Sequence, residues 1–301
     1  MCTTCGCGEG ARATVTDLAT GKVHPLGAPA HHHHGDDHDH EHDHEHDHHH
    51  HGHGHGHGHH HRDHDHGHAH HYQDRDHGRR STVELEQDVL AKNNLLAERN
   101  RGWLEGRNIL ALNLVSSPGA GKTTLLERTI RDLAGEIPIS VVEGDQETLF
   151  DAERIRATGC KTVQVNTGTG CHLEAEMLGG ALKRLDPPMD SLVLVENVGN
   201  LVCPALFDLG EAAKVAILSV TEGADKPLKY PHMFRASSLM LLNKIDLLPH
   251  VDFDVDACIS HARRVNPDIE VLQLSSTGGQ GLEAWFHWLR ARLAANGVAA
   301  A

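Results

Sequence analysis

Aromatic side chains are scarce, at 3% of 301 residues. Long apolar runs are missing as well. No stretch approaches the roughly 20 residues that a membrane-spanning helix requires, which excludes a membrane protein of that kind. The opening residues, MCTTCGCGEG, lack the basic and apolar regions of a secretory signal. A cytoplasmic protein is therefore expected, in which the seven cysteines serve as thiols or metal ligands and not as disulfides. No basic patch or aromatic platform stands out, and the formal charge is −15. Both argue against a nucleic-acid partner. Residues 30–80 hold almost no large apolar side chain. Such a segment cannot offset its own ordering entropy, so its composition predicts disorder.

What that segment has instead is histidine. Of the 31 histidines, 25 lie from His31 to His77, first alternating with Asp and Glu and then with Gly. Neutral imidazole binds Ni²⁺, Cu²⁺ and Zn²⁺, and the carboxylates concentrate cations around it. A polyhistidine chain imposes no single geometry, so several ions held with modest selectivity are expected, which suits storage. The interleaved carboxylates and glycines distinguish the segment from a purification tag. A merely solubilising tail would not need imidazole. The charge of the segment also depends on pH, because histidine titrates near pH 6–7.

Three regions follow: residues 1–30 with the cluster Cys2, Cys5 and Cys7, the histidine segment to residue 80, and a globular domain over 81–301. The last is a normal size for one α/β domain. An amphipathic helix over about 83–102, carrying Val83, Leu85, Val89, Leu90, Leu95 and Leu96, opens the domain. Apolar strands at 109–117, 137–145, 161–166, 191–197, 213–220, 238–244 and 269–275 then alternate with helices. This pattern predicts a doubly wound, mainly parallel α/β sheet covered on both faces.

The segment SSPGAGKTT (116–124) leaves a strand and opens a helix. It fits a phosphate-binding loop in which backbone amides and a lysine hold phosphates and a hydroxyl reaches Mg²⁺. Gly119 and Gly121 let the backbone approach closely, Ala120 and Thr124 are the further nucleotide-binding positions of the loop, Lys122 is the cation for the β/γ-phosphates, and Thr123 is the magnesium ligand. Ser116 stands where that pattern usually has Gly. Asp145, at the end of the strand IPISVVEGD, is the second expected magnesium ligand. Glu143 and Gln146 share that strand end, and Glu196 and Asn197 occupy another. Gly199 stands where a backbone amide can sense a γ-phosphate. Asn243-Lys244-Ile245-Asp246 resembles the base-reading element of GTPases. Its carboxylate accepts two hydrogen bonds from guanine, a donor pair that adenine lacks. Ser275-Ser276-Thr277 resembles the further loop that touches the base. Cys171-His172 and Cys203 suit Zn²⁺ or Ni²⁺, whereas Cys160 and Cys258 are read as small apolar residues.

SSPGAGKTT, EGDQET, NTGTGCHLEAEM, ENVGNLVCP, TEGADKPLKYPHMF and NKIDLLP together resemble the HypB family, the nickel-inserting GTPases of NiFe-hydrogenase maturation. The likeness spans essentially all of 81–301. It also extends to the Cys-x-x-Cys-Gly-Cys at 2–7 and to the histidine segment, which resembles that of nickel-storing members. The resemblance implies a GTPase of the SIMIBI class that works as a nucleotide-dependent homodimer. It implies a metal site at the dimer interface built from Cys171, His172 and Cys203 and coupled to the nucleotide. Lys226 is implied to contact nucleotide near that interface. The implied partners are a small zinc- and nickel-binding maturation protein and the hydrogenase large subunit.

Two alternatives stay open on the residues. The urease nickel-insertion GTPase shares the superfamily and can carry a His-rich start, but its metal site has Cys-Pro-His form, and here Cys171 and His172 adjoin. A metal-buffering protein with a vestigial GTPase is disfavoured by the intact Lys122, Thr123, Asp145 and Asp246. Asn200 follows Gly199 where some GTPases have Gln, so slow turnover is expected.

Overall fold

The computed structural model describes residues 13–26, 82–145 and 150–298. Cys2, Cys5, Cys7, the segment His31 to His77 and Gln146 lie outside the described residues, as do the expectations attached to them. In chain order the elements are β1 (Thr14–Asp17), β2 (Lys22–Pro25), α1 (Thr82–Glu105), β3 (Ile109–Ser116), α2 (Lys122–Asp132), β4 (Ile139–Asp145) and α3 (Phe150–Arg156). Then come β5 (Lys161–Asn166), α4 (Ala175–Leu185), β6 (Ser191–Glu196), α5 (Cys203–Leu206), β7 (Ala213–Ser219), α6 (Lys226–Lys229) and α7 (Pro231–Ala236). The series closes with β8 (Leu239–Asn243), a 3-10 turn at Ile245–His250, α8 (Val255–Val265), β9 (Glu270–Gln273) and α9 (Leu282–Ala295).

The strands form one sheet in the order β2-β1-β5-β4-β6-β3-β7-β8-β9. From β5 to β9 every pairing is parallel. The chain leaves β3 for β4 on one side and later returns to β7 on the other. The C-terminal ends of β3, β4 and β6 therefore meet at the switch point, where ligands of such sheets bind. The long apolar run ILALNLVS makes β3 the centre, and all eight of its residues are buried. One of its faces packs Leu112 and Leu114 with Leu125 and Leu126 of α2 and with Trp285 and Leu289 of α9. Across the sheet, Ala111, Val193 and Val195 meet Leu104 of α1 and Leu178 and Leu182 of α4. Each such leucine contributes about 1.5–3 kcal/mol by leaving water.

Two features depart from the sequence reading. Residues 14–25, which had been set apart from the globular domain, form a hairpin that extends the sheet antiparallel to β5. Its strands are only four residues each, too short to show a period, and β2 carries almost no buried side chain. A chain begun at Ser81 would leave β5 as a bare edge. The second departure concerns α1, whose anchoring is largely polar. Leu95 is 75% exposed, while Asn93 and Asn100 are buried. Asn93 accepts from Ala175 N at 2.9 Å and donates to Asp208 O at 2.7 Å. Asn100 donates to Ala175 O at 2.7 Å and to Leu209 O at 3.0 Å.

Candidate nucleotide and metal site

β3 delivers the phosphate loop to the switch point. Gly121 takes φ +96°, and a Cβ there would stand 2.6 Å from Asn243 Nδ2, so only glycine fits. Lys122 is buried and donates to Ser116 Oγ at 2.9 Å. The serine at the usual glycine position thus holds the lysine in place. A cavity of about 480 Å³ opens above the loop. It is lined by Gly119 to Thr124, Asp145, Glu196 and Gly199 among others.

The cavity wall is acidic beside Thr123. Thr123 Oγ1 donates to Glu196 Oε1 at 2.8 Å, and Asp145 lines the same space. Among the described residues, Glu143 Oε2 and Glu196 Oε2 are buried without a hydrogen-bond partner. Burial pushes the Glu196 carboxyl up to about 7, against the pull of Lys122 and the bond from Thr123. Burial, followed by the charge of Glu196, pushes Glu143 up to about 9. Clustered carboxylates with lone pairs left over fit a hard divalent cation, which offsets both costs. Glu196 is the carboxylate in contact with Thr123. Position in the sequence made it a weaker candidate than Asp145.

The segment Asn243-Lys244-Ile245-Asp246 is tied directly to the phosphate loop. Asn243 Nδ2 donates to Ala120 O at 2.9 Å, and Asn243 Oδ1 accepts from Ser276 N and Oγ at 3.1 and 3.0 Å. Lys244, at φ +62°, donates to Gly119 O at 2.7 Å. Asp246 stands exposed in the 3-10 turn beside these residues. Lys226 Nζ lies 3.3 Å from Ser117 Oγ of the phosphate loop and pairs with Glu222 at 3.2 Å.

Cys171 and His172 lie in bends ahead of α4, which begins at Ala175. Cys203 opens α5. The Sγ atoms of Cys171 and Cys203 are 3.1 Å apart, and His172 Nδ1 is 3.7 Å from Cys171 Sγ. One potential ligand atom from each residue falls within 4.8 Å of the others. Burial lowers the His172 pKa to about 4, so the imidazole is neutral at pH 7. Its Nε2 has no hydrogen-bond partner among the described residues. Two sulfurs and a neutral imidazole are a donor set for Ni²⁺ or Zn²⁺.

The two sites adjoin. Gly199 packs on the phosphate loop, and a Cβ there would meet Pro118 at 3.0–3.2 Å. Asn200 Nδ2 donates to Cys171 O at 3.3 Å, so its amide faces the metal loop. The hairpin also belongs to this end of the sheet. Thr14 pairs with Asn166, just before the loop that leads to Cys171.

Residues 110–273 match the family model described as CobW/HypB/UreG, nucleotide-binding domain. The hydrogenase maturation factor HypB of Azotobacter vinelandii is 62% identical over 207 residues, 69% of this chain and 68% of that protein. The chain belongs to the HypB family. HypB of Escherichia coli K12 is 60% identical over 210 residues, covering 70% of this chain and 72% of its own length. A solved HypB from Helicobacter pylori in complex with nickel superposes with a TM-score of 0.64 at 36% identity. The alignment covers 68% of this chain and 96% of that one. Membership in HypB makes the phosphate cavity that of a nucleotide-binding P-loop domain.

Arg154 of α3 escaped the sequence reading. It lines the phosphate cavity and bonds Thr124 Oγ1 at 3.3 Å and Glu127 at 3.0 Å. An arginine within a helix carries no motif, so only the fold reveals it.

Proposed function

We propose that this chain is a GTP-hydrolysing nickel chaperone, which stores nickel and delivers it to the large subunit of a NiFe-hydrogenase during maturation. The observation that carries the reading is the contact between the Gly199 loop, which packs on the phosphate loop, and the loop bearing Cys171. A nucleotide-sensing segment and a thiolate–imidazole site share one structural joint. Phosphates sit over the amides of 119–124 with Lys122, and Asp246 selects guanine. Thr123, Glu196 and Asp145 are suited to hold Mg²⁺, which when bound neutralises phosphate charge. The nickel cargo takes Cys171, His172 and Cys203, and Zn²⁺ suits the same donors. Cys2, Cys5 and Cys7 form a second thiolate site, and His31 to His77 form the store. Val202 and Leu206, exposed on either side of Cys203, favour a homodimer across this face. A small maturation protein that binds zinc and nickel then collects the ion. The compartment is the cytoplasm.

The test is hydrogenase activity at limiting nickel in a host deprived of its own family member. The wild-type chain restores activity and the double variant Cys171→Ala/Cys203→Ala does not. Equal restoration by the variant overturns the reading.

Base choice gives a second test. Asp246→Asn presents the wrong edge to guanine and the right one to xanthine. Preference for GTP over xanthosine triphosphate then falls by roughly 10–100-fold, the worth of one charged hydrogen bond. An unchanged preference in a competition assay removes Asp246 from the base site. Storage gives a third test. Deleting residues 31–77 lowers nickel capacity by several ions, leaves GTP turnover intact, and impairs maturation only when nickel is scarce. Loss of maturation in abundant nickel contradicts a storage role.

A further inference from the structure

From Ile109 to Val115 β3 is apolar except for Asn113, fully buried in the middle of the strand. A polar side chain there is costly unless its bonds are made. Asn113 Nδ2 donates to Glu211 Oε1 at 3.1 Å, and Asn113 Oδ1 accepts from Asn197 Nδ2 at 3.2 Å. Asn197 is itself buried, one residue after Glu196 and two before Gly199. Its Oδ1 accepts two backbone amides at once: Leu173 N at 3.1 Å and Val198 N at 3.0 Å. Leu173 follows His172 directly, and Val198 precedes Gly199. A single side-chain oxygen therefore ties the metal loop to the loop that packs on the phosphates.

The network has a second arm to the same histidine. Glu211 accepts from Leu209 N at 2.7 Å and pairs with Lys214 at 3.3 Å. Lys214 donates to Phe207 O at 2.9 Å, and the Phe207 ring lies 4.0 Å from the His172 ring. His172 is thus held through its neighbour Leu173 on one side and through Phe207 on the other. Both holds run back to Asn113 in the rigid centre of the sheet.

We infer that Asn197, anchored by Asn113, is the positioning residue through which the nucleotide state sets the geometry of the Cys171–His172–Cys203 site. The inference rests on the proposed coupling of nucleotide and metal. A shift of the backbone at Val198 and Gly199 changes where Asn197 Oδ1 lies, and Leu173 N must follow or lose its only side-chain acceptor among the described contacts. Alanine at 197 keeps the strand and the carboxylate of Glu196 but cuts this link. Aspartate keeps an acceptor for both amides but gives up the donor to Asn113 Oδ1.

The test uses the full chain and the reciprocity of linkage. Affinities for GDP and for a non-hydrolysable GTP analogue are measured with and without saturating nickel, and the metal-induced change in their ratio is the coupling. The wild type is expected to show a change of about 5-fold or more, in the usual range for such switches. Cys203→Ala marks zero and subtracts the histidine segment. Asn197→Ala is expected to fall below about twofold, a small fraction of a typical coupling, while its GDP affinity and nickel stoichiometry hold. Asn197→Asp keeps the acceptor but loses the bond to Asn113, so its coupling is expected to fall between alanine and the wild type, which separates a lost acceptor from a general loosening. Wild-type coupling in a folded Asn197→Ala overturns the inference, as does Asn197→Asp behaving like alanine. Should Asn197→Ala fail to fold, Asn113→Ser takes its place, with weakened coupling expected and wild-type coupling overturning the inference. Absence of coupling in the wild type itself overturns the proposed function first and this inference with it.

Discussion

Replacing Lys122 with alanine lowers GTP turnover by roughly 10²–10³-fold, the cost of removing one fixed group that stabilises transition-state charge. The side chain is already placed for that role, since Ser116 Oγ holds its amine at 2.9 Å over the loop. No solvent cation can substitute well, because the position is buried. Lys122 also opposes the buried Glu196, so its loss favours protonation of the carboxylate that bonds Thr123. The cavity then loses its cation and weakens its cation site together. Lys122 belongs to no apolar core cluster, so the fold should survive. Phosphate release in single turnover is the measurement, with hydrogenase maturation as the cellular counterpart. Wild-type rates in this variant would remove the phosphate loop from the chemistry.

Replacing Cys203 with alanine lowers nickel affinity at the domain site by at least the 10–100-fold that loss of a supporting contact to a ligand typically costs. Cys203 supplies one of two sulfurs 3.1 Å apart, and the remaining imidazole cannot replace a thiolate. The measurement is the thiolate-to-nickel charge-transfer band of the full chain with Cys2, Cys5 and Cys7 already replaced by alanine. Under those conditions the histidine segment contributes ions but no sulfur. A band and midpoint unaltered by Cys203→Ala would mean that the pair lies close for packing alone.

Much of this was legible in the residues, and particular cases show why. The strands β3, β6, β7 and β8 are largely apolar runs because helices cover both faces of the sheet, and such runs are visible without coordinates. The phosphate loop and Asn243-Lys244-Ile245-Asp246 are contiguous motifs, so their order alone placed them at strand ends. Cys171-His172 and Cys203 are 32 residues apart, and it took the parallel crossover from β5 through β6 to bring them together. Other features could not be read. The hairpin Thr14–Pro25 gains its stability from the edge of β5, a contact far away in sequence. Leu95 fitted an amphipathic stripe, yet α1 is held by Asn93 and Asn100, whose partners are backbone atoms near residues 175 and 208. Asn113 looks like an interruption of an apolar strand, and Asn197 like a polar strand end, until their hydrogen bonds are seen. In each case the missing information was a long-range partner, which a local pattern does not carry.

The central claim is that one joint serves both ligands, so nickel and nucleotide must sense one another. Gly199 rests on Pro118 of the phosphate loop, and Asn200 holds the Cys171 carbonyl. Two positions of this loop, one for each nucleotide, would present different geometries to the ion. The most direct measurement is a nickel titration of the full chain, with Cys2, Cys5 and Cys7 replaced by alanine, in GDP and again in a non-hydrolysable GTP analogue, followed through the same charge-transfer band. The expected result is midpoints separated by about 5–150-fold, equivalent to a coupling of about 1–3 kcal/mol, with the separation abolished in Cys203→Ala. Titrations that superimpose for the two nucleotides would contradict the mechanism, even with Cys171, His172 and Cys203 all bound to the metal.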